Sequence, residues 1–173
     1  MLYFIGLGSN LDISGVGSSK TVLEAAVRQF CGEIGTVVKK SQWYESEPIP
    51  VSDQPWFVNG VIAVESQLKP KGLLRKALEI EAEFGRKRSQ ANAARTLDVD
   101  IIACGQLVCD TEADEDGPAI TLPHPRMHNR AFVLLPMADV APDWHHPVLN
   151  ESISTLIKAL PAQNIRIAET IED

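Results

Sequence analysis

Hydrophobic and polar positions follow two different periods along the chain, and each change of period marks the border between a strand and a helix. Strand-like runs cover residues 2–7, 36–45, 57–65 and 96–103. One helical pattern follows Ser18 and Ser19 and ends at Gly32–Gly35, and another begins at Pro70 and ends at Gly85. The order β-α-β-β-α-β predicts the α+β class, with a ferredoxin-like βαββαβ core over residues 2–104.

The pattern beyond residue 104 predicts additions to this core. Residues 107–109 are expected to pair back as a hairpin, and the acid-rich residues 110–117 to form a surface insertion without a catalytic role. Further elements are predicted as a helix broken by Pro136, a last helix and a short strand, at 132–140, 150–160 and 165–167. Since no repeat interrupts the pattern, we expect a single domain over residues 1–173.

Composition excludes several classes of protein. The chain has 173 residues, 45% hydrophobic and 23% charged, as in an ordinary globular protein. A formal charge of −7 argues against a nucleic-acid binder, and no apolar run is long enough to span a membrane. Three cysteines without a CxxC spacing are typical of reduced thiols, so we expect a cytoplasmic protein.

Two carboxylates share one face of the predicted strand 96–103. Asp98 and Asp100 alternate with apolar residues, which puts them on the same side, about 7 Å apart along the strand. Such a pair is unfavourable unless a cation lies near it, and Mg²⁺ is often held by one or two carboxylates together with substrate phosphates. An edge strand with two solvated acids explains the pair equally well.

A basic segment leads directly into that strand. Residues 85–95 carry four cations and no acid. Beside a two-carboxylate magnesium site, these cations suit a polyphosphate, whose remaining charge arginines neutralise. A charge run of this kind is more often a solvated loop, and that interpretation stays open.

Other polar residues occur where the pattern expects apolar ones. Asn59 shares a strand face with Phe57, so the pair could stack a flat heterocycle and bind its edge, or Asn59 could bond only to backbone. Glu81 lies on the apolar stripe of the second helix, either in a site or at an exposed helix edge. The segment 122–132 has two histidines and two arginines; Pro125 disfavours a helical metal pair there, and the cluster better suits anion contact.

Together these motifs resemble the 6-hydroxymethyl-7,8-dihydropterin pyrophosphokinases of folate biosynthesis. The resemblance covers nearly the whole chain and rests on five motifs in order: Gly6–Leu11, Asp53–Asn59, Gly85–Arg88, Arg95–Ile102 and Leu122–Phe132.

The resemblance implies transfer of diphosphate from ATP to the hydroxymethyl group of a reduced pterin alcohol, with release of AMP and with two Mg²⁺ ions. It implies a cytoplasmic protein that binds neither nucleic acid nor membrane, and we expect a monomer. The implied metal ligands are Asp98 and Asp100, and the implied catalytic residues Arg86 and Arg95. The implied ATP contacts are Glu81, Arg88, Ile101, Thr121, His124 and Arg130. The implied pterin contacts are Ser46, Ile49, Phe57, Asn59 and Phe132, with the backbone contributing around Ser46 and Ile49.

The chain departs from the family pattern at a few positions. Asn92-Ala93-Ala94 replaces a Trp-Gly-Pro or Gly-Pro before Arg95, and Ala119 stands where some members have an arginine. Phe57 replaces a tyrosine, which keeps stacking and loses a hydroxyl, and the acidic insertion is longer than usual.

Two other classes of function remain as alternatives. A non-catalytic protein could keep the pterin and nucleotide pockets without turnover, although the retained acids and arginines count against it. An RNA-binding ferredoxin-like module is disfavoured by the net charge of −7 and by the lack of an aromatic, basic strand motif.

Overall fold

A computed structural model describes residues 1–86 and 93–169 of the chain. Its strands are β1 (Leu2–Ser9), β2 (Thr36–Lys40), β3 (Tyr44–Ser46), β4 (Phe57–Glu65), β5 (Asp98–Cys104), β6 (Cys109–Thr111), β7 (Ile120–Leu122), β8 (His145–His146), β9 (Glu151–Ser152) and β10 (Ile165–Ile167). Its helices are α1 (Ser19–Glu33), α2 (Pro70–Glu83), α3 (Ala131–Val140) and α4 (Ile153–Lys158). Within the described ranges, no helix has the length and apolar composition needed to cross a membrane.

The main sheet has the order β10-β3-β4-β1-β5, and β2 also pairs with β4. Every pairing in it is antiparallel. Each of the two helices α1 and α2 crosses from one strand to another two places along the sheet, as in the split βαβ arrangement. The α+β class and the ferredoxin-like core are therefore confirmed.

Helices cover both faces of the sheet and enclose two cores. Alternate residues of β1 show the division: Tyr3, Ile5 and Leu7 pack against α1 and α2, whereas Phe4 packs against α3 and α4. The predicted strand 57–65 is confirmed as β4, and its alternation is confirmed too, since Ile62 and Val64 face the first core.

The predicted long strand at 36–45 is wrong, because β2 and β3 are separate strands. Between them the Ser41 hydroxyl accepts a hydrogen bond from the backbone N–H of Val61 at 2.9 Å. The Trp43 ring lies over Gly60, where an added Cβ would come within 2.5 Å of the ring. The hydrogen bond to the Ser41 hydroxyl takes the place of a backbone hydrogen bond between the strands, and the Trp43 ring covers β4. Both features interrupt the predicted strand.

The predicted hairpin of 107–109 with the preceding strand is also wrong. Strand β6 pairs with β7, with Cys109 opposite Leu122. Val108 is exposed, whereas Leu122 is buried in the first core, so burial favours the later partner. The acidic hairpin lies against α2, where Lys71 forms an ion pair with Asp114 at 2.5 Å.

The two C-terminal helices differ from their predictions, α3 in its continuity and α4 in its length, since α4 covers only Ile153–Lys158. Helix α3 runs unbroken through Pro136, because its loss of one hydrogen bond is outweighed by burial of Val133, Leu134 and Met137. Helix α4 begins at Ile153 rather than Asn150, because the Ser152 side chain caps it by accepting from the Thr155 N–H at 3.1 Å.

Candidate active site

The floor of the candidate site is formed where three strands meet on the α3 face. In the sheet register, Gly8 of β1 lies between Asn59 of β4 and Asp98 of β5, and Gly6 lies opposite Asp100. Directly opposed residues share a face, so Asn59 and both aspartates point the same way. A Cβ added at Gly8 would lie 2.7 Å from the Asn59 Oδ1 atom. The two glycines therefore leave open backbone between an amide and a carboxylate pair.

One side of this floor is the charged half, made of Glu81, Arg86, Arg95, Asp98, Asp100, His124 and Arg130. Asp98 is its centre: its Oδ1 accepts from Arg86 Nη1 at 2.5 Å, and its Oδ2 accepts from Arg95 Nη1. Arg86 also donates to Glu81. The predicted metal ligand and both predicted catalytic arginines therefore lie in one cluster.

Glu81 joins the second helix to the aspartate strand. Only 2% of it is exposed, which decides between the two sequence interpretations in favour of burial. Its Oε1 accepts from the backbone N–H of Val99 at 2.7 Å as well as from Arg86. A buried carboxylate needs such partners, and here they fix the start of β5 and hold Arg86 in place.

Asp100 is the electrostatically strained member of the pair. Burial first, and the neighbouring Asp98 second, raise the pKa of its carboxyl above the ordinary value, while His124, Arg130 and Arg95 oppose the rise. Arg130 lies 3.7 Å from Asp100 Oδ2. Burial lowers the pKa of His124, against the effect of Asp100. A cation bound here would relieve the repulsion between the two carboxylates.

The donor set fits a magnesium ion that takes part of its coordination from a ligand. Among residues 1–86 and 93–169, no three side chains of His, Cys, Asp or Glu are close enough to form a complete metal site. Asp98 and Asp100 offer hard carboxylate oxygens, which Mg²⁺ prefers when phosphates and water complete its shell. His124 and His128 do not share a helix, because the short 3-10 helix here covers only Met127–Asn129, and the His128 ring lies edge-on to His146.

The other side of the floor is the uncharged half, made of Ser46, Phe57, Asn59 and Phe132. Asn59 is buried and donates through Nδ2 to the Ser46 hydroxyl at 2.7 Å, so a side chain rather than backbone alone holds its amide. Phe57 lies opposite Ser46 in the register and is half-buried. Phe132 is half-buried in the first turn of α3, below the Arg130 guanidinium at 5.5 Å.

Several sequence-predicted residues lie apart from these two halves. The Ile101 side chain is buried in the opposite core, so only its backbone can face a ligand. Thr121 is exposed on β7 and donates to Asp110 at 2.8 Å. Ile49 is 56% exposed, which leaves its backbone as the group for a contact. Arg88, together with Asn92 of the altered loop sequence, lies outside the described residues.

Asn10, which the sequence patterns did not single out as a site residue, joins three segments of the site. Its Oδ1 accepts from the backbone N–H of Arg95 at 2.7 Å, and its own N–H donates to the Arg95 carbonyl at 3.0 Å. Its Nδ2 donates to the Pro55 carbonyl at 3.0 Å and to Gln54 Oε1 at 3.2 Å, in the proline-rich loop of residues 47–56. An asparagine in a turn after a strand was the available signal.

Comparison with protein families decides the class. Residues 4–142 match the family model of 7,8-dihydro-6-hydroxymethylpterin-pyrophosphokinase. The chain belongs to this family. It is therefore a pyrophosphokinase, an ATP-dependent diphosphotransferase, as its resemblance implies.

Curated relatives of this family cover most of the chain. The 2-amino-4-hydroxy-6-hydroxymethyldihydropteridine pyrophosphokinase of Pseudomonas aeruginosa is 37% identical over 163 residues, which are 94% of this chain and 93% of the relative. The enzyme of the same name from Methylorubrum extorquens is 37% identical over 142 residues, 81% of this chain and 82% of that one. The folic acid synthesis protein fol1 of Schizosaccharomyces pombe is 34% identical over 137 residues, 79% of this chain but 18% of its own length. The pyrophosphokinase activity therefore belongs to folate synthesis.

Solved structures support the fold. The Plasmodium falciparum HPPK-DHPS wild type with pteroate has a TM-score of 0.70 at 13% identity, over 91% of this chain and 42% of that chain. Because the chain spans less than half of the solved protein, and identity is low, this likeness concerns the fold alone.

Proposed function

We propose that this pyrophosphokinase transfers the β,γ-diphosphate of ATP to the hydroxymethyl oxygen of 6-hydroxymethyl-7,8-dihydropterin and releases AMP. The observation that carries the proposal is the position of Gly8, with the amide of Asn59 on one side and the Asp98 carboxylate on the other. A flat neutral acceptor and an anionic donor can then meet over backbone that carries no side chain.

Two Mg²⁺ ions would be held by Asp98 and Asp100 together with oxygens of the ATP phosphates. When bound, the two ions would neutralise negative charge on the phosphate oxygens of the transferred group and of the leaving group. The raised pKa of Asp100 supports this assignment, because a carboxylate that burial and a neighbouring carboxylate destabilise gains most from an added cation.

Arg86 and Arg95 are proposed as the catalytic residues. Both donate to Asp98, and Arg86 also to Glu81. If Asp98 held a metal ion, the guanidinium groups would lose a partner and would become available to phosphate oxygens, which arginine binds through charge-assisted hydrogen bonds. The ion pairs on Asp98 thus keep both arginines within reach of the transferred group.

The remaining charged-half residues are proposed to bind ATP. Arg130 lies near Asp100, and the His124 side chain contributes to the same electrostatic environment. The proposed ATP contacts are Glu81, Arg88, Thr121, His124, Arg130 and the backbone of Ile101.

The uncharged half is proposed to bind the pterin. Phe57 from the sheet and Phe132 from α3 would stack on its two faces, and Asn59 would bind its polar edge. The hydrogen bond to Ser46 leaves Asn59 Oδ1 as the acceptor facing the Gly8 floor. Backbone groups at Ser46 and Ile49 complete the proposed contacts.

In the proposed reaction the pterin hydroxymethyl oxygen attacks the β-phosphorus of ATP. The bond between the β-phosphorus and the oxygen bridging to the α-phosphate breaks, the hydroxyl proton is lost, and AMP leaves. The protein orients the two reactants and surrounds the phosphates with cationic side chains, which is the main contribution of a protein to phosphoryl-type transfer.

One assay tests this function. The protein is mixed with Mg²⁺, ATP and the reduced pterin alcohol, and adenine nucleotides are separated and quantified. We expect AMP only when the pterin is present, and loss of AMP formation after chelation of Mg²⁺. ADP in place of AMP would mean transfer of a single phosphate, and tight pterin binding without turnover would favour the non-catalytic alternative.

We also propose that residues 1–173 act as one domain, as a monomer in the cytoplasm. Sedimentation equilibrium at micromolar concentration tests the monomer, for which a single species near 18.9 kDa is expected.

A further inference from the structure

Tyr44 and Asp139 connect the sheet to helix α3 through a polar contact that none of the proposed substrate contacts includes. The Tyr44 hydroxyl donates to Asp139 Oδ2 at 3.0 Å. The backbone N–H of Gln42 donates to the same oxygen at 3.2 Å. One carboxylate at the surface of α3 thus receives two donors from the short segment that leads into β3.

The position of this contact relates it to the uncharged half. Asp139 follows Phe132 by seven residues, which is two helical turns, so both lie on the same face of α3 about 10 Å apart. Tyr44 precedes Ser46 by two residues on β3, so the two side chains share a strand face. The same helix and the same strand therefore carry the hydrogen bond at one end and pocket residues at the other.

The strand register also connects the Tyr44–Asp139 contact with the Asn59 amide. Tyr44 lies opposite Asn59, and Ser46, which holds the Asn59 amide, lies opposite Phe57. A shift of β3 relative to α3 would move the Ser46–Asn59 pair relative to Phe132.

The pocket requires a defined separation between helix and sheet. A flat ring between Phe57 and Phe132 needs about 7 Å between the two aromatic planes, that is, two contacts of roughly 3.5 Å. A gap wider by 0.5–1 Å forfeits about a quarter to a half of that contact energy. The remaining packing of α3 on the sheet joins apolar side chains such as Val61 and Met137, which is not directional.

The Tyr44 hydroxyl stays protonated and can therefore donate a hydrogen bond. Burial first, and the Asp139 carboxylate second, raise the pKa of Tyr44 to about 12, so the hydroxyl keeps its proton over the whole working range of pH. The hydroxyl therefore remains able to donate to Asp139 at neutral pH.

We propose that the Tyr44–Asp139 hydrogen bond is a positioning contact, which sets the separation of α3 from β3 and thereby the affinity for the flat acceptor. It rests on the proposed function, because the acceptor pocket is the one assigned there to the pterin. Neither residue is among the proposed substrate contacts. Because the hydrogen bond lies on the strand and the helix that carry the acceptor pocket, we expect it to act on acceptor binding and to leave ATP binding unchanged.

Three single variants and one double variant test the proposal by steady-state kinetics of AMP formation. Tyr44→Phe and Asp139→Ala each remove the hydrogen bond, and we expect the KM for the pterin to rise about three- to tenfold. The KM for ATP and kcat should stay within about twofold. Asp139→Asn keeps an acceptor oxygen and should remain near wild type. Tyr44→Phe combined with Asp139→Ala should cost no more than Asp139→Ala alone, since both remove one interaction.

Glu24→Ala is the matched control. Glu24 on α1 accepts from the Trp43 indole N–H at 2.7 Å, so it is a helix carboxylate bound to the neighbouring aromatic residue on the opposite face of the sheet. Its loss should leave the pterin KM unchanged. An equal rise with Glu24→Ala, or an equal rise in both KM values with the Tyr44 and Asp139 variants, would overturn the proposal.

A binding measurement separates this inference from the function on which it rests. Pterin affinity is measured by equilibrium titration with a non-hydrolysable ATP analogue present, and thermal unfolding shows that each variant is folded. A wild type that binds pterin without forming AMP refutes the function but still supports the positioning contact if Tyr44→Phe weakens binding. A wild type that binds no pterin refutes both. Tyr44→Phe, which removes a single oxygen, keeps the test decisive if Asp139→Ala does not fold.

Discussion

The two halves of the site face each other across Gly8, yet they are built from different interactions. In the charged half, Asp98 is held by two arginine side chains, and its neighbour Asp100 has a raised pKa. In the uncharged half, Asn59 is held by a neutral hydrogen bond to Ser46 on the adjacent strand of the same sheet. Ion pairs between side chains can exchange partners when a charged ligand arrives, whereas a strand-borne amide and its neighbour are fixed by the sheet. The charged half is thus suited to rearrangement around ATP, and the uncharged half to a preformed acceptor pocket.

The largest effect should come from the centre of the charged half. Asp98→Ala removes a proposed metal ligand and the partner of both arginines, and we expect kcat to fall about a thousandfold or more, in line with the loss of electrostatic stabilisation of phosphoryl transfer. The rate of AMP formation at saturating substrate concentrations measures this fall in kcat. If the two halves act independently, the affinity for the pterin should stay unchanged. Asp12→Ala, in the exposed loop after β1, is the control. AMP release within tenfold of wild type would show that the metal assignment is wrong.

A smaller and different effect is expected in the uncharged half. Asn59→Ala leaves the pterin edge and the Ser46 hydroxyl without their partner, so the pterin KM should rise about 10- to 100-fold, the discrimination that a buried hydrogen-bonding group provides. The KM for ATP should change less than threefold. Val58→Ala, one residue earlier and facing the first core, is the control. Equal effects on both substrates would mean that the two halves do not divide the substrates as proposed.

Substitution of Asn10 should affect both substrates, because Asn10 contacts Arg95 of the charged half and the proline-rich loop that leads into Phe57. Asn10→Ala removes the acceptor of the Arg95 N–H and the donor to the proline-rich loop, so we expect about a tenfold loss in kcat and in pterin affinity together. Asn10→Asp keeps the acceptor for Arg95 and loses the donor to the loop, and should spare kcat more than pterin binding. Substrate-by-substrate kinetics distinguish the two. The connection fails as an explanation if Asn10→Ala affects a single substrate.

The smallest effect concerns stability and pH in the charged half. The raised pKa of Asp100 means that its ionisation costs the folded state free energy near neutral pH. Asp100→Asn should therefore raise the melting temperature by a few degrees at pH 7, although turnover falls. The gain should shrink as pH falls through the raised pKa towards the ordinary aspartate value of about 3.9, where the folded and unfolded states are both protonated.

Thermal unfolding of both proteins from pH 7 to pH 4 measures this effect. Asp12→Asn is the exposed control and should show no pH-dependent gain. A lower melting temperature of Asp100→Asn at pH 7 would show that the interaction with Arg130, 3.7 Å away, outweighs the repulsion from Asp98.

The spacing of apolar residues correctly predicts those elements whose buried face recurs at a regular interval along the chain. Strand β4 and the stripe of α2 were predicted correctly, because alternation and three-four spacing directly report which face is buried. The errors at Ser41, Val108 and Asn150 have another origin. The Ser41 hydroxyl that accepts from Val61, and strand β6 that pairs with a later partner, are contacts between segments that local spacing does not specify. The Ser152 cap is a local contact with Thr155, three residues away, and the spacing of apolar residues does not report it.

The sequence by itself determined which chemical groups are available: two aspartates on one strand face, a basic segment before them, and an aromatic–amide pair on another strand. Their types and spacings are fixed by covalent order, so they could be named before any fold was known. Only the tertiary structure decided that Gly8 separates them, that Glu81 is buried on Arg86 and Val99, and that Asn10 joins Arg95 to the proline-rich loop. Those facts depend on antiparallel register and on hydrogen bonds between residues up to 85 positions apart, which packing of the whole chain sets.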